Sequence, residues 1–217
     1  MADIKGQIAQ TEVNRDSEGT NKLFRLMRDG SLGTMDWKQS FVFEGKAYMM
    51  QIGTEDAPVA STTSIDAELV MGVIDVPDGA VVIPVWAQYV VGTWTSAALI
   101  NFMLEVDNAQ VRYSSGGTAW TPLNLHTGMA NGSACTCYVG TDVTVGDKTS
   151  GGSLEIYRES MEVNLGDTAD YWPKMEYIPQ ASPVVKGPGS IVIHAGATAD
   201  VTGYTNIMWL ELNKDDV

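Results

Sequence analysis

Residues Val76–Val106 read VPDGAVVIPVWAQYVVGTWTSAALINFMLEV. Pro77-Asp78-Gly79 is a turn signal, because proline fixes φ, aspartate starts turns and glycine accepts positive φ. Ala80–Val91 is almost wholly apolar and rich in β-branched residues, and Gly92 closes it. An apolar run bounded at both ends by turn residues reads as a buried strand. Leu99–Leu104 reads as its partner. The pair is expected at the centre of a sheet against which the rest of the chain packs.

Working outward, Asp66–Val76 alternates as a strand, with Leu69, Met71 and Val73 against Val70, Gly72 and Ile74. Before it, Phe41–Ile52 reads as a strand or hairpin bent near Glu44-Gly45. Gly53–Ser64 is loop. After the central pair, Asp107-Asn108 turns and Gln110–Tyr113 reads as a short strand. Ser114–Val145 is rich in Gly, Thr and Ser and is expected to hold one strand, Ala134–Val139, between long exposed loops. Ser153–Val163 alternates with two mixed faces. Asp167–Pro188 carries Pro173, Pro179, Pro183 and Pro188, which interrupt long elements. Ser190–His194 and Thr205–Leu212 are the last strands, with loop at Thr198–Thr202 and a turn at Gly203-Tyr204. Nine or so strands at roughly ten-residue spacing, with no α/β alternation, predict an all-β sandwich or barrel.

The N-terminal 38 residues differ in character. Residues 1–20 are polar, and on composition such a stretch does not fold alone. Thr20-Asn21 is read as the cap of a short helix, Lys22–Arg28, with Leu23, Leu26 and Met27 on one face. Asp29-Gly30 would stop it. This makes 1–38 an arm with one apolar anchor, either loose or laid on a neighbouring subunit, and 39–217 the sandwich domain.

Charge separates the same two parts. The 217 residues carry a formal net charge of −14, and only 18% of them are charged against 44% hydrophobic. Residues 1–46 balance, so the whole −14 falls on 47–217. A general nucleic-acid binder is excluded, since phosphate contacts need Lys and Arg. The opening MADIKGQIAQ lacks the apolar core of a secretory signal, and no run nears the ~20 apolar residues of a membrane helix. The expected site of synthesis is therefore a reducing cytoplasm. A surface this poor in charge is either rich in small polar residues or covered by neighbours.

No catalytic or cofactor fingerprint is found, and no cofactor is expected. His126 and His194 are the only histidines, with no G-x-S-x-G elbow to join. Cys135-Thr136-Cys137 puts two thiols on one strand face, but a zinc site needs a second ligand pair. Asp75/Asp78, Asp107/Asn108 and Asp142/Asp147 are solvated turn residues or, as the alternative, hard-oxygen ligands for Ca²⁺, with Asp142 and Asp147 the candidates kept. Trp120, Tyr171 and Trp172 fall in predicted loops, where an exposed ring is costly. With Leu23, Leu26 and Met27 they are the candidate interface residues, acting as anchors between subunits or as stacking platforms for sugars.

VPDGAVVIPVWAQYVV, a long loop region and then GSIVIHAGATADVTGYTNIMWLEL, with Trp209 and Glu211 on the last strand, resembles jelly-roll capsid and other structural proteins of viruses, phages above all. The resemblance implies a virion structural protein. Such a protein is a capsid subunit that binds copies of itself and other virion proteins through sheet edges, loops and an N-terminal arm, and is not an enzyme. The arm is less basic than those that hold naked genomes, so no specific nucleic acid is expected. The alternative is a spike, fibre or carbohydrate-binding sandwich.

Overall fold

The structure is a computed structural model and describes residues 5–7, 21–23, 36–66, 68–164 and 173–214. Two antiparallel sheets pack face to face. In chain order the strands are β1 (Lys5–Gln7), β2 (Asn21–Leu23), β3 (Ala47–Ile52), β4 (Val59–Ala60), β5 (Leu69–Val76), β6 (Ala80–Trp94), β7 (Ala98–Asp107) and β8 (Tyr113–Ser115). Then come β9 (Thr118–Trp120), β10 (Leu123–Asn124), β11 (Thr136–Val145), β12 (Ser153–Val163), β13 (Lys174–Tyr177), β14 (Val185–Lys186), β15 (Gly189–Ala197) and β16 (Val201–Asn213). One helix, α1 (Trp37–Phe43), precedes β3.

The first sheet runs β10-β3-β16-β6-β13 and the second β12-β7-β15-β5-β11-β8. Eight strands make the frame: β3, β5, β6, β7, β12, β13, β15 and β16. The last of them lies between the first and the third, and the seventh between the second and the fourth. Chain ends thus return to the middle of each sheet, as two nested Greek keys require, and the sandwich is a jelly roll. In the 108–152 region the expected strand Ala134–Val139 is found as the first half of β11, which runs on to Val145, and β8 and β9 lie where loop was expected; the three widen the second sheet beyond β5.

Alternation explains the core. Val82, Ala87, Tyr89 and Val91 of β6 and Ile207 and Trp209 of β16 face inward from the first sheet. Ile100, Phe102, Leu104 and Val106 of β7 and Ile191 and Ile193 of β15 meet them. The largest inward groups, Trp209, Tyr89 and Phe102, are wholly buried. Tyr89 stacks on Phe102 across the sandwich at 5.7 Å. Both cysteines belong to this core, and burial raises their thiols above the ordinary range.

Several sequence expectations are corrected. Lys22 and Leu23, expected to begin a helix capped at Asn21, lie in the strand Asn21–Leu23, paired with Lys5–Gln7; Leu26 and Met27 lie outside the described residues. Phe41–Phe43, expected as strand, is the end of α1. Alternation of Phe41 and Phe43 imitates a strand, but Asp36 and Gly45 bracket a helix. The Asp36 carboxylate accepts from Lys38 N–H (2.8 Å). Gly45, at φ 68°, lets its own N–H reach Val42 O and the Lys46 N–H reach Phe41 O. Gln110–Arg112 is not a strand, and Val201–Tyr204, expected as loop and turn, already belongs to β16.

The helix lies on the outer face of the first sheet, where Phe41 packs with Val81, Val85, Leu210 and Leu212. Its C-terminal stop is therefore testable. Gly45→Ala forces a β-carbon into the left-handed region and is expected to cost roughly 1–2 kcal/mol in urea denaturation; an unchanged midpoint would show that α1 does not depend on that turn.

Candidate functional site

The two edge strands β12 and β13 lie on the same side of the sandwich. Among the described residues β12 pairs only with β7, and β13 only with β6. Pro179 and Pro183 follow β13 and cannot donate ladder bonds, so the chain leaves the sheet after Tyr177. What remains is a cleft of about 780 Å³ lined by Leu154–Tyr157 on one wall and Glu176–Pro183 on the other. Tyr157 closes its floor, packed edge-on against Tyr177 (5.5 Å) and Phe102 (5.9 Å). At its rim Leu154 is 58% exposed and Ile178 64%. Apolar side chains this open on an edge are unusual unless something covers them.

The rim is also acidic. Glu155, Glu159, Glu162 and Glu176 stand along β12 and β13 beside two cations, Arg158 and Lys174. The Trp86 indole N–H donates to Glu176 (2.8 Å), with Lys174 at 3.3 Å, and together they hold its carboxyl below the usual range. Arg158 does the same for Glu155 at 2.6 Å. Tyr157 donates to Glu159. Glu155 and Glu176 are thus kept ionised at neutral pH.

Ile178 also borders a second hollow, of about 280 Å³, between α1 and the outer face of the first sheet. Lys38, Val42, Trp86 and Met208 line it. Trp37 (49% exposed) and Phe43 (55%) extend the apolar surface along α1. One band of exposed apolar groups therefore runs from α1 across Ile178 to the edge cleft.

The opposite outer face, on the second sheet, holds a buried ionic cluster. Glu105 of β7 accepts from Arg112 and Lys148. The Arg112 guanidinium also donates twice to Gly146 O (3.0 and 2.8 Å). Its backbone N–H donates to Asp75 Oδ1 (3.1 Å) and Ser190 Oγ (2.8 Å). Asp107 accepts from Ala109 N–H (2.9 Å) and Thr149 N–H (3.0 Å), fastening both loops that fold over the sheet. Burial alone would push the Glu105 carboxyl up; Lys148, Ser153 and Arg112 hold it below the ordinary value. His194, 1% exposed, borders this cluster with neither ring nitrogen hydrogen-bonded to a side chain.

The residues singled out in the sequence fall in different places. Trp120 is not on an exposed loop: it ends β9, half-buried, and packs against the core. Leu23 is in β2. Tyr171 and Trp172 lie outside the described residues, as do Leu26 and Met27. Asp142 accepts from Gly117 N–H (3.2 Å) and so braces the 116–117 turn, while Asp147 O accepts from Gln110. Among the described residues no group of three or more metal-ligating side chains gathers at either aspartate. Asp75 and Asp107, read as solvated or calcium-binding turn residues, are buried hubs. Glu105 and Arg112 were missed altogether. A signal was present: Glu105 is the one charge in the apolar run Leu99–Val106, and Arg112 is one of few cations after residue 46.

No family model matches the chain, and neither a curated protein nor a solved structure is found to be similar to it.

Proposed function

We propose that the protein is a virion structural protein, a phage-type capsid subunit that assembles with copies of itself and with other virion proteins. The observation that carries this reading is the continuous apolar band from α1 across Ile178 to the edge cleft, set on a jelly roll whose interior is filled. Fold alone does not assign function. The supporting point is where surface is left to be covered. Between the sheets, where a ligand-binding sandwich keeps a cavity, Trp209, Tyr89, Phe102 and Met50 fill the space. Outside, Trp37, Phe43, Leu154 and Ile178 stay exposed along this band. Contacts of this kind, individually weak, hold a closed shell when each subunit repeats them.

Light scattering on the purified chain, followed by negative-stain imaging, tests the proposal. Rings, capsomers or shells many times the 23.4 kDa chain mass are expected. Removal of residues 1–35, which keeps Asp36 and α1 in place, is expected to leave a folded protein that no longer assembles. A full-length monomer at high concentration would overturn the reading. The alternative, a spike, fibre or carbohydrate-binding module, has the aromatic and acidic lining of the edge cleft in its favour, and a monomer that binds glycans saturably would put it first.

A further inference from the structure

We infer that the edge cleft between β12 and β13 receives the arm segment Phe24–Arg28 of a neighbouring copy. The inference rests on the assembly reading above and names the partner of that surface.

The cleft needs an occupant that is apolar and cationic at once. Its walls offer Leu154, Tyr157 and Ile178, and its lining holds two carboxylates, Glu155 and Glu176, and no cation, on a body that carries the full −14. Lys22–Arg28 reads KLFRLMR: three basic residues in seven, interleaved with Leu23, Phe24, Leu26 and Met27. No window of seven residues outside this segment holds more than one basic residue. The segment of the chain densest in both cationic and apolar groups therefore matches a cleft whose lining is both acidic and apolar.

Reach and charge favour exchange between copies. Arg28 is eight residues from Asp36, which gives about 26–29 Å of extended chain beyond the start of α1. That is enough to leave the parent body. Two bodies of net charge −14 repel each other. A cationic segment of one copy seated in the acidic rim of the next offsets that repulsion at the point of contact, and seated on its own body it would join nothing.

Disulfide trapping in the full chain tests this. One chain carries Met27→Cys and a second, with a different tag, carries Ile178→Cys. The native Cys135 and Cys137 are buried and do not compete. Mild oxidation of the mixture is expected to give a covalent hetero-dimer on a non-reducing gel. The yield should fall at least tenfold with Leu123→Cys, exposed on β10 at the opposite edge of the first sheet, in place of Ile178→Cys. It should also fall when Glu155→Lys and Glu176→Lys are added to the second chain. Equal trapping at residues 123 and 178, or no covalent hetero-dimer, overturns the inference. Light scattering on the same samples separates the two readings: particles without the cross-link sink the docking site alone, whereas monomers without it sink assembly as well.

Discussion

Arg112→Met is expected to destabilise the protein by about 3–5 kcal/mol, the largest effect of any single surface-loop change. Arg112 does not belong to a regular element, yet its side chain is fully buried. It neutralises Glu105 and satisfies Gly146 O, while its backbone N–H is held by Asp75 and Ser190. Methionine fills much of the same volume but leaves Glu105 with Lys148 alone, on a side chain that is itself 44% exposed. A carboxylate out of water with half its charge unmet is the costly state, not the absence of the pair. Two consequences separate this account from simple loss of packing. Glu105→Gln in the Arg112→Met background should recover part of the loss, because the uncompensated charge has gone. The same Glu105→Gln change in the wild-type chain should be destabilising. Urea denaturation of the four proteins completes the cycle. Additive single-variant effects would show that the two side chains are not coupled.

Acid is expected to weaken the fold through His194. Burial pushes its imidazole down to about 4; Glu105 pulls it upward, while Lys148 and Arg112 push it further down. Asp66, from the segment that crosses β15, and Glu155 of β12 also face it. That segment lies flat on β15, with Thr62 bridged to Gly196. An unfolded chain protonates His194 near pH 6.5, and the folded chain only near pH 4. Between those values the unfolded state holds the extra proton. The contribution is therefore complete above pH 6.5 and is lost as pH falls toward 4, amounting to about 2 kcal/mol by pH 5 and about 3 kcal/mol by pH 4. The depressed carboxyl of Glu105 acts in the same direction at lower pH. The interval from pH 6.5 to 5 isolates the histidine, because most carboxylates titrate below it. Stability measured across that interval should slope in the wild type and be nearly flat in His194→Gln and His194→Phe. An equal slope in all three proteins would assign the acid sensitivity to other groups.

The two predictions concern residues of which only one was noticed in the sequence, and the contrast is instructive. Periodicity depends on a strand's own neighbours, so Ala80–Val91, Leu99–Leu104 and Ser153–Val163 could be read directly as strands, and the all-β class followed from them. Turn chemistry is equally local, as Pro77-Asp78-Gly79 shows. Phe41–Phe43, the end of α1, was misread because two phenylalanines at alternate positions satisfy a strand pattern as well as a helix. The choice was made by Asp36 and Gly45 at its ends, and by the outer face of the first sheet, which gave Phe41 a place to bury. The 108–152 region was read only in part, for a different reason. Its small polar residues carry little hydrophobic signal, and its strands exist because β5 offers an edge on which β11 can pair.

By itself the sequence determined the all-β class, most of its long strands and the separation of a charge-balanced N-terminal region from an acidic remainder. Each of those follows from the alternation, composition or turn residues of a short segment. Only the tertiary structure decided the jelly-roll strand order, the burial of Asp75, Glu105, Asp107 and Arg112 in one cluster, and the band linking α1, Ile178 and the β12–β13 cleft. These join residues tens of positions apart in the chain. A carboxylate is solvated or buried according to which distant loop closes over it, and no local pattern records that.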